Sequence, residues 1–479
     1  MNSLQALTYL WRLAAGDPAA LERVDLDGDD PGLPSVHRVG VLAASTIAAA
    51  GLAAAECYRV RTGRVQRVGV SVRHALAAFR SERYLRVDGG APPEPRHAVT
   101  GFYETRDARW IQLHANFPHH LAGIVEVLGC GDEPGQVAAA IRGWDGQTLD
   151  ATLAEAGLCA ALIRSPEEWR ALEPARALER GALFEIERIG DAPPMPVGAD
   201  GPIAAGMRAQ AGAAALVQPL SGTRVLDLTR IIAGPVAGRT LAQHGAQVLL
   251  VNGPHLPNIP ALVIDNGRGK RSAIVDLRDD AGRATLDALA ARADVFVQSY
   301  RPGALDALGF GAAELARRHP GIVCVSVCAY GYDGPWASRR GFDSLVQSAS
   351  GIAWTEQCAA GTRAPRHLPC QALDHATGYL AAFGAMMALV RRAREGGSWR
   401  VRVSLAQTGR WLQSMGRVDG GERVPDLALD DVRDCLDDAT DSPFGAVRGV
   451  RPAERLSQTP PRFGRPPVPV GSDEPCWLP

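Results

Sequence analysis

The sequence predicts an α/β protein, in which a large domain built on a Rossmann-like parallel sheet accompanies a smaller α+β domain. Three observations support this class. The 479 residues suffice for two or three domains of about 150 residues each. Strand-like and helix-like segments alternate beyond residue 216. One helix–strand segment occurs twice, and the composition, 46% hydrophobic and 22% charged, is that of a globular protein.

The alternation defines the large domain. Apolar strands are predicted at residues 225–228, 248–251, 273–277, 295–298 and 322–327. Helical segments separate them, beginning at Pro235 and at Asp280, the second ending near Arg292. Strands connected in this way form a mostly parallel sheet that is covered on both faces.

The internal repeat comes from residues 41–79, which lie over residues 374–411 without a gap, at a constant offset of 333 positions as far as the shorter segment runs. Each copy reads as an alanine-rich helix, a basic turn and a strand. The matched positions include Gly63 with Gly396 and the Arg-Val-x-Val-Ser run at 67–71 with that at 400–404. The main difference is that Asp374 in the second copy faces Val41 in the first.

Five segments follow from these patterns. They are the back half of a large domain, which holds the degenerate first copy (1–99), a small α+β domain (100–155), a return segment and Pro/Gly-rich linker (156–215), a Rossmann-like catalytic domain (216–412) and a Pro-rich tail wrapping over the body (413–479).

Charge and cysteine usage narrow the function classes. Lys and Arg number 51 against 52 Asp and Glu, a net charge of −1, so we expect no nucleic-acid partner and no acidic membrane partner. The nine cysteines form no C-x-x-C pair, which argues against a disulfide framework or a zinc ribbon. No secretion signal is visible, and the apolar run 41–55 is too short for a membrane span of about 20 residues, so we interpret it as a buried helix. We expect a cytoplasmic protein.

Anion binding is predicted where the first strand of the large domain ends. The turn at 230–235 aims a helix N-terminus at the carboxyl edge of the sheet, a position that favours phosphate. Basic clusters at Lys270-Arg271 and Tyr300-Arg301 flank two further strands. A tight turn without a ligand and solvated charge are the alternative interpretations.

Asp374 opens the helix of the second copy. Asp is a favoured helix N-cap, so capping alone explains it most simply. The helix dipole also keeps such a carboxylate ionised, which a carboxylate nucleophile requires. His375 is adjacent on the helix and points in a different direction. His119 and His120 lack a spaced third ligand, so we interpret them as loop histidines and predict no metal site.

Five motifs together resemble the class III CoA-transferases, also called the CaiB/BaiF family. They occur in the family's own order over residues 222–412 and read VLDLTRIIAGPVAGRTLAQHGAQVLLV, GKRSAIVDL, ADVFVQSYRPGALDALGFG, YGYDGPWASRRGFDSLVQSASG and LDHATGYLAAFGAMMALVRRAREGG. Residues 41–190 are similar to the later part of a family chain. The order is therefore permuted, with the Asp-helix segment duplicated.

The resemblance implies a chemistry. The family's nucleophilic Asp corresponds to Asp374, and its CoA contacts to Ala233, Lys270, Arg271, Tyr300 and Arg301. It implies a transferase that moves CoA from an acyl-CoA to a carboxylic acid through an aspartyl-CoA thioester. Coenzyme A and acyl-CoA are then substrates, and no cofactor is bound permanently. The family forms interlocked dimers in which the small domain of one chain covers the site of the other, so a homodimer with two sites is expected.

The chain also departs from the family pattern. Ile232 stands where the formyl-CoA branch has a catalytic Gln, so oxalate-type chemistry is not expected; Asn252, Ser299 and Ala307 replace a usual Glu, a usual Asn and a frequent Arg. The α-methylacyl-CoA racemases of the family use a Gly-His-Asp triplet, which is Gly-Phe-Asp at 341–343 here. A racemase-type isomerase and a CoA-binding pseudoenzyme are the alternatives to the transferase.

Overall fold

The computed structural model describes residues 1–93, 96–198 and 217–478. Its central feature is a seven-stranded sheet. Its strands, in spatial order, are Lys270–Ile274, Gln247–Asn252, Arg224–Leu228, Val295–Gln298, Val323–Cys328, Ser398–Ser404 and Phe184–Gly190. The first six are parallel, and the last is antiparallel.

The α-helices pack on both faces of this sheet and around the smaller ones. In the first half of the chain they are Ser3–Leu13, Val39–Thr62, Val72–Ala78, Ser81–Tyr84, Pro118–Leu128, Pro134–Ile141, Gly146–Glu155, Pro166–Arg170 and Glu173–Arg180. In the second half they are Ala233–Gln243, Pro260–Gly267, Asp280–Ala290, Ala312–Arg318, Asp343–Ala349, Ile352–Ala360, Ala372–Glu395 and Leu405–Ser414. Short 3₁₀ helices lie at Pro18–Arg23, Asp306–Leu308, Gly421–Arg423 and Asp430–Cys435.

The six parallel strands confirm the predicted α/β class. Numbered along the chain from Arg224, they lie in the order 3-2-1-4-5-6, the arrangement of a doubly wound Rossmann sheet. The order reverses between the first strand, Arg224–Leu228, and the fourth, Val295–Gln298. In such sheets the ligand crevice lies outside the carboxyl ends of the strands at this point.

The third parallel strand differs from the prediction. It runs over Lys270–Ile274 and not over 273–277. The strand begins on a charged residue because Lys270, only 1% exposed, is neutralised by Asp227. Charged residues are rarely fully buried unless they are paired, and a sequence does not show the pairing.

The two repeat copies fold alike. We call the helix Val39–Thr62 the first-copy helix and the helix Ala372–Glu395 the second-copy helix; their bounds differ by the repeat offset at both ends. They pack against each other in the core. By length and composition each is apolar enough to cross a membrane, but the apolar stretch of both is completely buried within the protein. The run 41–55 is therefore a buried helix, as predicted.

A carboxylate outside each helix holds its first turn. In the first copy Asp30 accepts hydrogen bonds from the N–H groups of Gly40 (2.7 Å) and Val41 (2.9 Å). In the second copy Asp343 accepts from Leu373 and Asp374, which occupy the matching positions. The repeat therefore extends to the capping device that fixes each helix start.

The two halves of the chain exchange edge strands. In the first copy, Val68–Ser71 pairs in parallel with Val24–Asp27 and antiparallel with Glu454–Leu456, which comes from the tail. In the second copy, Ser398–Ser404 has an antiparallel neighbour, Phe184–Gly190, which comes from the first half. Each half thus completes the sheet of the other, and the chain is interlocked with itself.

A smaller unit stands between the copies. Its antiparallel strands Gly101–Glu104, Trp110–Leu113 and Ala160–Leu162 support the three helices between Pro118 and Glu155 around a separate apolar core. The structure extends this unit, called the small domain below, to Leu162, because its third strand pairs with the second. Of the predicted linker, residues 199–215 lie outside the described part of the chain.

The tail packs on the large sheet. Asp473 pairs with Arg271 (3.1 Å), and the Trp477 indole donates to the carbonyl of Leu289 (3.0 Å). Two short strands, Thr440–Ser442 and Gly445–Arg448, add to Arg86–Val87 from the N-terminal segment. The tail is therefore more ordered than an irregular wrap.

Candidate active site

A cavity of about 610 Å³ opens at the carboxyl ends of the first, fourth and fifth parallel strands. Three walls meet there: the turn after the first strand, the segment after the fourth, and the small domain. Its lining includes Phe117, His119, His120, Cys159, Arg230, Ile231, Ile232, Ala233, His255, Tyr300, Arg301, Arg339, Arg340, Phe342 and Asp374. It occupies the crevice that the strand order predicts.

The turn after the first strand is strained. Ile231 has φ of 77°, a left-handed conformation that is an outlier for a β-branched residue and costs on the order of 1–3 kcal/mol. The side-chain amide of Asn266 donates to the Ile231 carbonyl at 3.1 Å. The helix Ala233–Gln243 begins directly afterwards, so its free N–H groups face the cavity. Strain of this kind is concentrated at functional sites.

Asp374 enters the cavity from the second-copy helix. It is the third residue of that helix; the N-cap is Gln371, whose side chain makes no capping bond. The interpretation of Asp374 as an N-cap is therefore wrong. Gly378, one turn later on the same face, lets the helix approach Ala233 closely: a Cβ there would lie 2.5 Å from the Ala233 carbonyl. This contact fixes Asp374 beside the strained turn.

The carboxylate of Asp374 is buried but free. The residue is 6% exposed, and among residues 1–93, 96–198 and 217–478 no group donates a hydrogen bond to its side chain. Burial first, then the charges of Asp343 and Glu82, raise the pKa of Asp374 well above its ordinary value. A poorly solvated carboxylate with unsatisfied oxygens is a stronger nucleophile than one in water.

Asp343 positions Asp374 without entering the cavity. Its Oδ2 accepts from the Asp374 N–H at 2.9 Å, and its other oxygen accepts from the Gln347 amide. Burial raises the pKa of Asp343 to about 6. Its neighbour Phe342 stacks on His114 with ring centroids 4.0 Å apart. The oxygens of Asp343 are occupied within the fold, so it is a positioning residue.

The five predicted CoA contacts separate into two groups. Ala233, Tyr300 and Arg301 line the cavity together with Asp374. Lys270 does not: its ammonium binds Asp227 and the Pro235 carbonyl, both at 2.8 Å. Arg271 does not either, since the tail holds it through Asp473. Both lie at the amino end of a parallel strand, and the cavity lies at the carboxyl ends, which explains the difference.

The sequence did not predict that residues of the small domain line the cavity. His119 and His120 lie in the first turn of the helix Pro118–Leu128, and not in a loop, and they line the cavity. His375, in contrast, binds Glu82 at 3.2 Å and stacks on Phe79, away from the cavity lining. Arg230 and Arg340 were also missed. The Arg-Arg doublet before Gly341 was the only available signal for Arg340.

The cavity lining is strongly positive. Among the described residues four arginines line it against one carboxylate, that of Asp374. Arg339 is neutralised by Asp150 at 2.6 Å. Within the described part of the chain Arg230, Arg301 and Arg340 have no carboxylate partner. Such a surface attracts a multiply charged anion.

A second cavity, of about 240 Å³, adjoins the first and shares Leu228, His255, Leu256, Tyr300 and Ala304 with it. Aliphatic side chains make most of its wall, and Arg278 and Arg283 also line it. The two cavities together follow the carboxyl edge of the sheet. An elongated ligand with an apolar ring system at one end fits this shape.

Comparison with known proteins identifies relatives that are CoA-transferases. The chain is 30% identical over 429 residues to an acyl-CoA transferase of Gibberella moniliformis, covering 81% of this chain and 73% of the relative. It is 35% identical over 193 residues to the mouse succinyl-CoA:glutarate CoA-transferase, covering 38% of this chain and 44% of the relative. The chain thus spans about three quarters of the fungal relative and less than half of the mouse enzyme.

Among solved structures, the crystal structure of Rv3272 from M. tuberculosis is 32% identical, with a TM-score of 0.38, over 42% of this chain and 59% of that one. The model of the family described as CoA-transferase family III matches residues 24–202 and 220–425. The chain therefore belongs to CoA-transferase family III.

Proposed function

We propose that the protein transfers CoA from an acyl-CoA thioester to a carboxylic acid, with Asp374 as the nucleophile. The observation that carries this proposal is the Asp374 carboxylate: of the described residues it is the single carboxylate that lines the arginine-rich cavity, and none of them donates a hydrogen bond to it. Family membership supplies the reaction class. The cavity supports the assignment of the residue.

The proposed reaction has two nucleophilic attacks that load CoA onto Asp374 and two that pass it to the acceptor acid. An Asp374 oxygen attacks the thioester carbonyl, the C–S bond breaks, and CoA leaves as a thiolate from the mixed anhydride. The thiolate then attacks the Asp374 carbonyl carbon, which releases the first acid as a carboxylate and leaves an aspartyl-CoA thioester. The acceptor carboxylate reverses both steps. No proton is gained or lost overall, so no general base is required.

CoA is proposed to lie along the sheet edge. Its phosphates would meet Arg230, Arg301 and the N-terminus of the helix Ala233–Gln243, which together supply fixed positive charge. The second cavity would take the adenine ring. The reactive sulfur would then point toward Asp374 and the small domain, where the acyl group and the acceptor acid meet.

The racemase alternative needs two proton acceptors beside the substrate α-carbon. Phe342 replaces the histidine, so one acceptor of the pair is missing and only the later Asp, Asp374, remains beside the cavity. This arrangement favours the transferase.

All nine cysteines are free thiols, which supports our proposal of a reducing, cytoplasmic location.

The test of this function compares wild-type protein with Asp374→Asn on mixtures of acyl-CoA and carboxylic acids, followed by mass spectrometry of the CoA esters formed. We expect the wild type to produce the new thioester and Asp374→Asn to produce none, with an unchanged circular dichroism spectrum. Val41→Asp in the Asp374→Asn background is the matched control and should not restore transfer, because the described residues 1–38 before the first copy hold a single strand, Val24–Asp27, and no βαβ unit. Transfer by Asp374→Asn would contradict the assignment. Tight CoA binding without any transfer by the wild type would establish the pseudoenzyme.

A further inference from the structure

Arg340 and His120 form a contact that the proposed chemistry does not use. The guanidinium Nη1 of Arg340 lies 3.0 Å from Nε2 of His120, and both side chains line the main cavity. The two residues come from opposite walls: Arg340 precedes the Gly-Phe-Asp triplet of the large domain, and His120 belongs to the small domain. Neither forms an ion pair with a carboxylate in the described part of the chain.

The protonation state of His120 follows from this contact. An arginine only donates hydrogen bonds, so Nε2 of His120 must accept and carries no proton. Burial first, then the charges of His119 and Arg340, lower the pKa of His120 to about 3. The ring is therefore neutral at physiological pH, with its proton on Nδ1. That Nδ1 is buried and has no hydrogen-bond partner within the described chain.

The contact leaves most of the Arg340 guanidinium unused. Nη1 to His120 is the one hydrogen bond that Arg340 makes to the described residues, so four of its five N–H groups remain available. The half-buried guanidinium has no carboxylate partner among the described residues. Its planar fork matches a carboxylate, which it binds through two parallel hydrogen bonds.

Arg340 also lies near the reacting end of the cavity. It precedes Asp343 by three residues, which span at most about 11 Å when fully extended. Asp343 in turn holds the Asp374 N–H at 2.9 Å. The positive groups at the sheet edge, Arg230 and Arg301, come from different segments, those following the first and fourth strands. The charges of both Arg340 and Arg230 lower the pKa values of His119 and His120, so Arg340 differs from Arg230 by its hydrogen bond to His120 and not by its distance from the small domain.

We propose that Arg340, oriented by His120, binds a second carboxylate of the acid that exchanges CoA, and so selects dicarboxylic acids. This inference rests on the proposed function and adds the substrate class to it. The reacting carboxyl group would lie at Asp374, and the distal one at Arg340. A CoA phosphate is the other anion that this guanidinium could receive, and the experiment separates the two.

The experiment measures transfer from one acyl-CoA to a matched pair of acceptors, glutarate and its monoamide 4-carbamoylbutanoate. In Arg340→Met we expect KM for glutarate to rise by about tenfold or more, because a charge-assisted hydrogen-bonded pair is lost. The KM for the monoamide and the Kd of CoA, measured by calorimetry, should stay unchanged. Arg340→Lys should recover part of the glutarate affinity. Arg363→Met, which removes an exposed arginine outside the cavity, is the matched control and should behave as the wild type.

Three results would overturn the proposal: equal loss for both acceptors, no loss for either, or a Kd for CoA that rises in parallel with KM. The last would assign Arg340 to a CoA phosphate. If the wild type transfers CoA to no acid, the proposed function fails, and glutarate binding is then tested alone. In that case glutarate should raise the Tm of the wild type and of Arg363→Met, and it should leave the Tm of Arg340→Met unchanged. Any other pattern overturns the proposed subsite.

Discussion

At the scale of single residues, the properties of Asp374 depend on groups that the sequence places far apart. Asp343 lies 31 residues earlier, and Glu82 comes from the first half of the chain, yet both raise its pKa together with burial. The motif identified Asp374 from the sequence. Its depth, its free oxygens and its acidic neighbours could not be predicted, because they arise where three segments pack together.

These neighbours predict a pH dependence. Asp374 attacks only when it is ionised, so kcat/KM should fall as the pH drops through its raised pKa. Glu82→Gln keeps a hydrogen-bonding group beside His375 but removes one negative charge. The pKa of Asp374 should then decrease, and the acidic limb of the pH profile should move to lower pH.

The control for this prediction is Glu104→Gln. Glu104 belongs to the small domain, and its carboxylate pairs with the exposed Arg363. Its acidic limb should coincide with that of the wild type. An acidic limb that stays in place in Glu82→Gln would show that the group titrating in the profile is not influenced by Glu82, contrary to our account.

At the scale of elements, the sequence indicated where Asp374 lies but not how its helix is held. The repeat predicted two similar helices, and the structure shows that their bounds and their capping carboxylates correspond. Besides Asp374, Gly378 distinguishes the second helix from the first, in which the matching residue is Ser45. The missing Cβ permits contact with the helix Ala233–Gln243 at the start of the cavity.

Gly378→Ala should therefore impair the site more than the fold. A Cβ would lie 2.5 Å from the Ala233 carbonyl and 2.7 Å from Cβ of Val236, so the two helices must separate. We expect kcat/KM to fall by roughly 10²-fold, as small misplacements of reacting groups cause. Far-ultraviolet circular dichroism should remain that of the wild type.

Gly409→Ala tests the specificity of this effect. In the helix Leu405–Ser414 the added Cβ would meet Ile352 and Leu373 at 3.4 Å, an ordinary contact distance. Activity should be retained there. If Gly378→Ala is as active as Gly409→Ala, the helix approach does not position Asp374.

At the scale of the whole molecule, the interlocked halves of the chain bear on which chain supplies each wall of the site. The family resemblance implies a homodimer in which the small domain of one chain covers the site of the other, and the homodimer itself stays a prediction. In the structure the small domain and Asp374 of the same chain line one cavity. The permuted order of segments in the sequence indicates that each half lacks part of a family chain. The exchange of edge strands could not be predicted in the same way, because it depends on pairings between residues that are remote in sequence.

Each chain should therefore hold one complete site. Co-expression of Asp374→Asn with Phe117→Asp, which places a charge in the small-domain wall, should give no active protein, because no chain then has both intact walls. Dilution to the monomer, followed by light scattering, should leave the specific activity of the wild type constant. Restored transfer in the mixed sample would show that the small domain acts on a second chain.

The most direct test of Asp374 as the CoA-carrying nucleophile is the mass of its peptide. Wild-type protein incubated with acyl-CoA, digested and analysed by mass spectrometry should carry CoA on the peptide that contains Asp374. The added mass should disappear after treatment with acceptor acid or hydroxylamine, and it should never form in Asp374→Asn. Active wild-type protein whose CoA is found on another residue, or on none under conditions of turnover, would contradict the account.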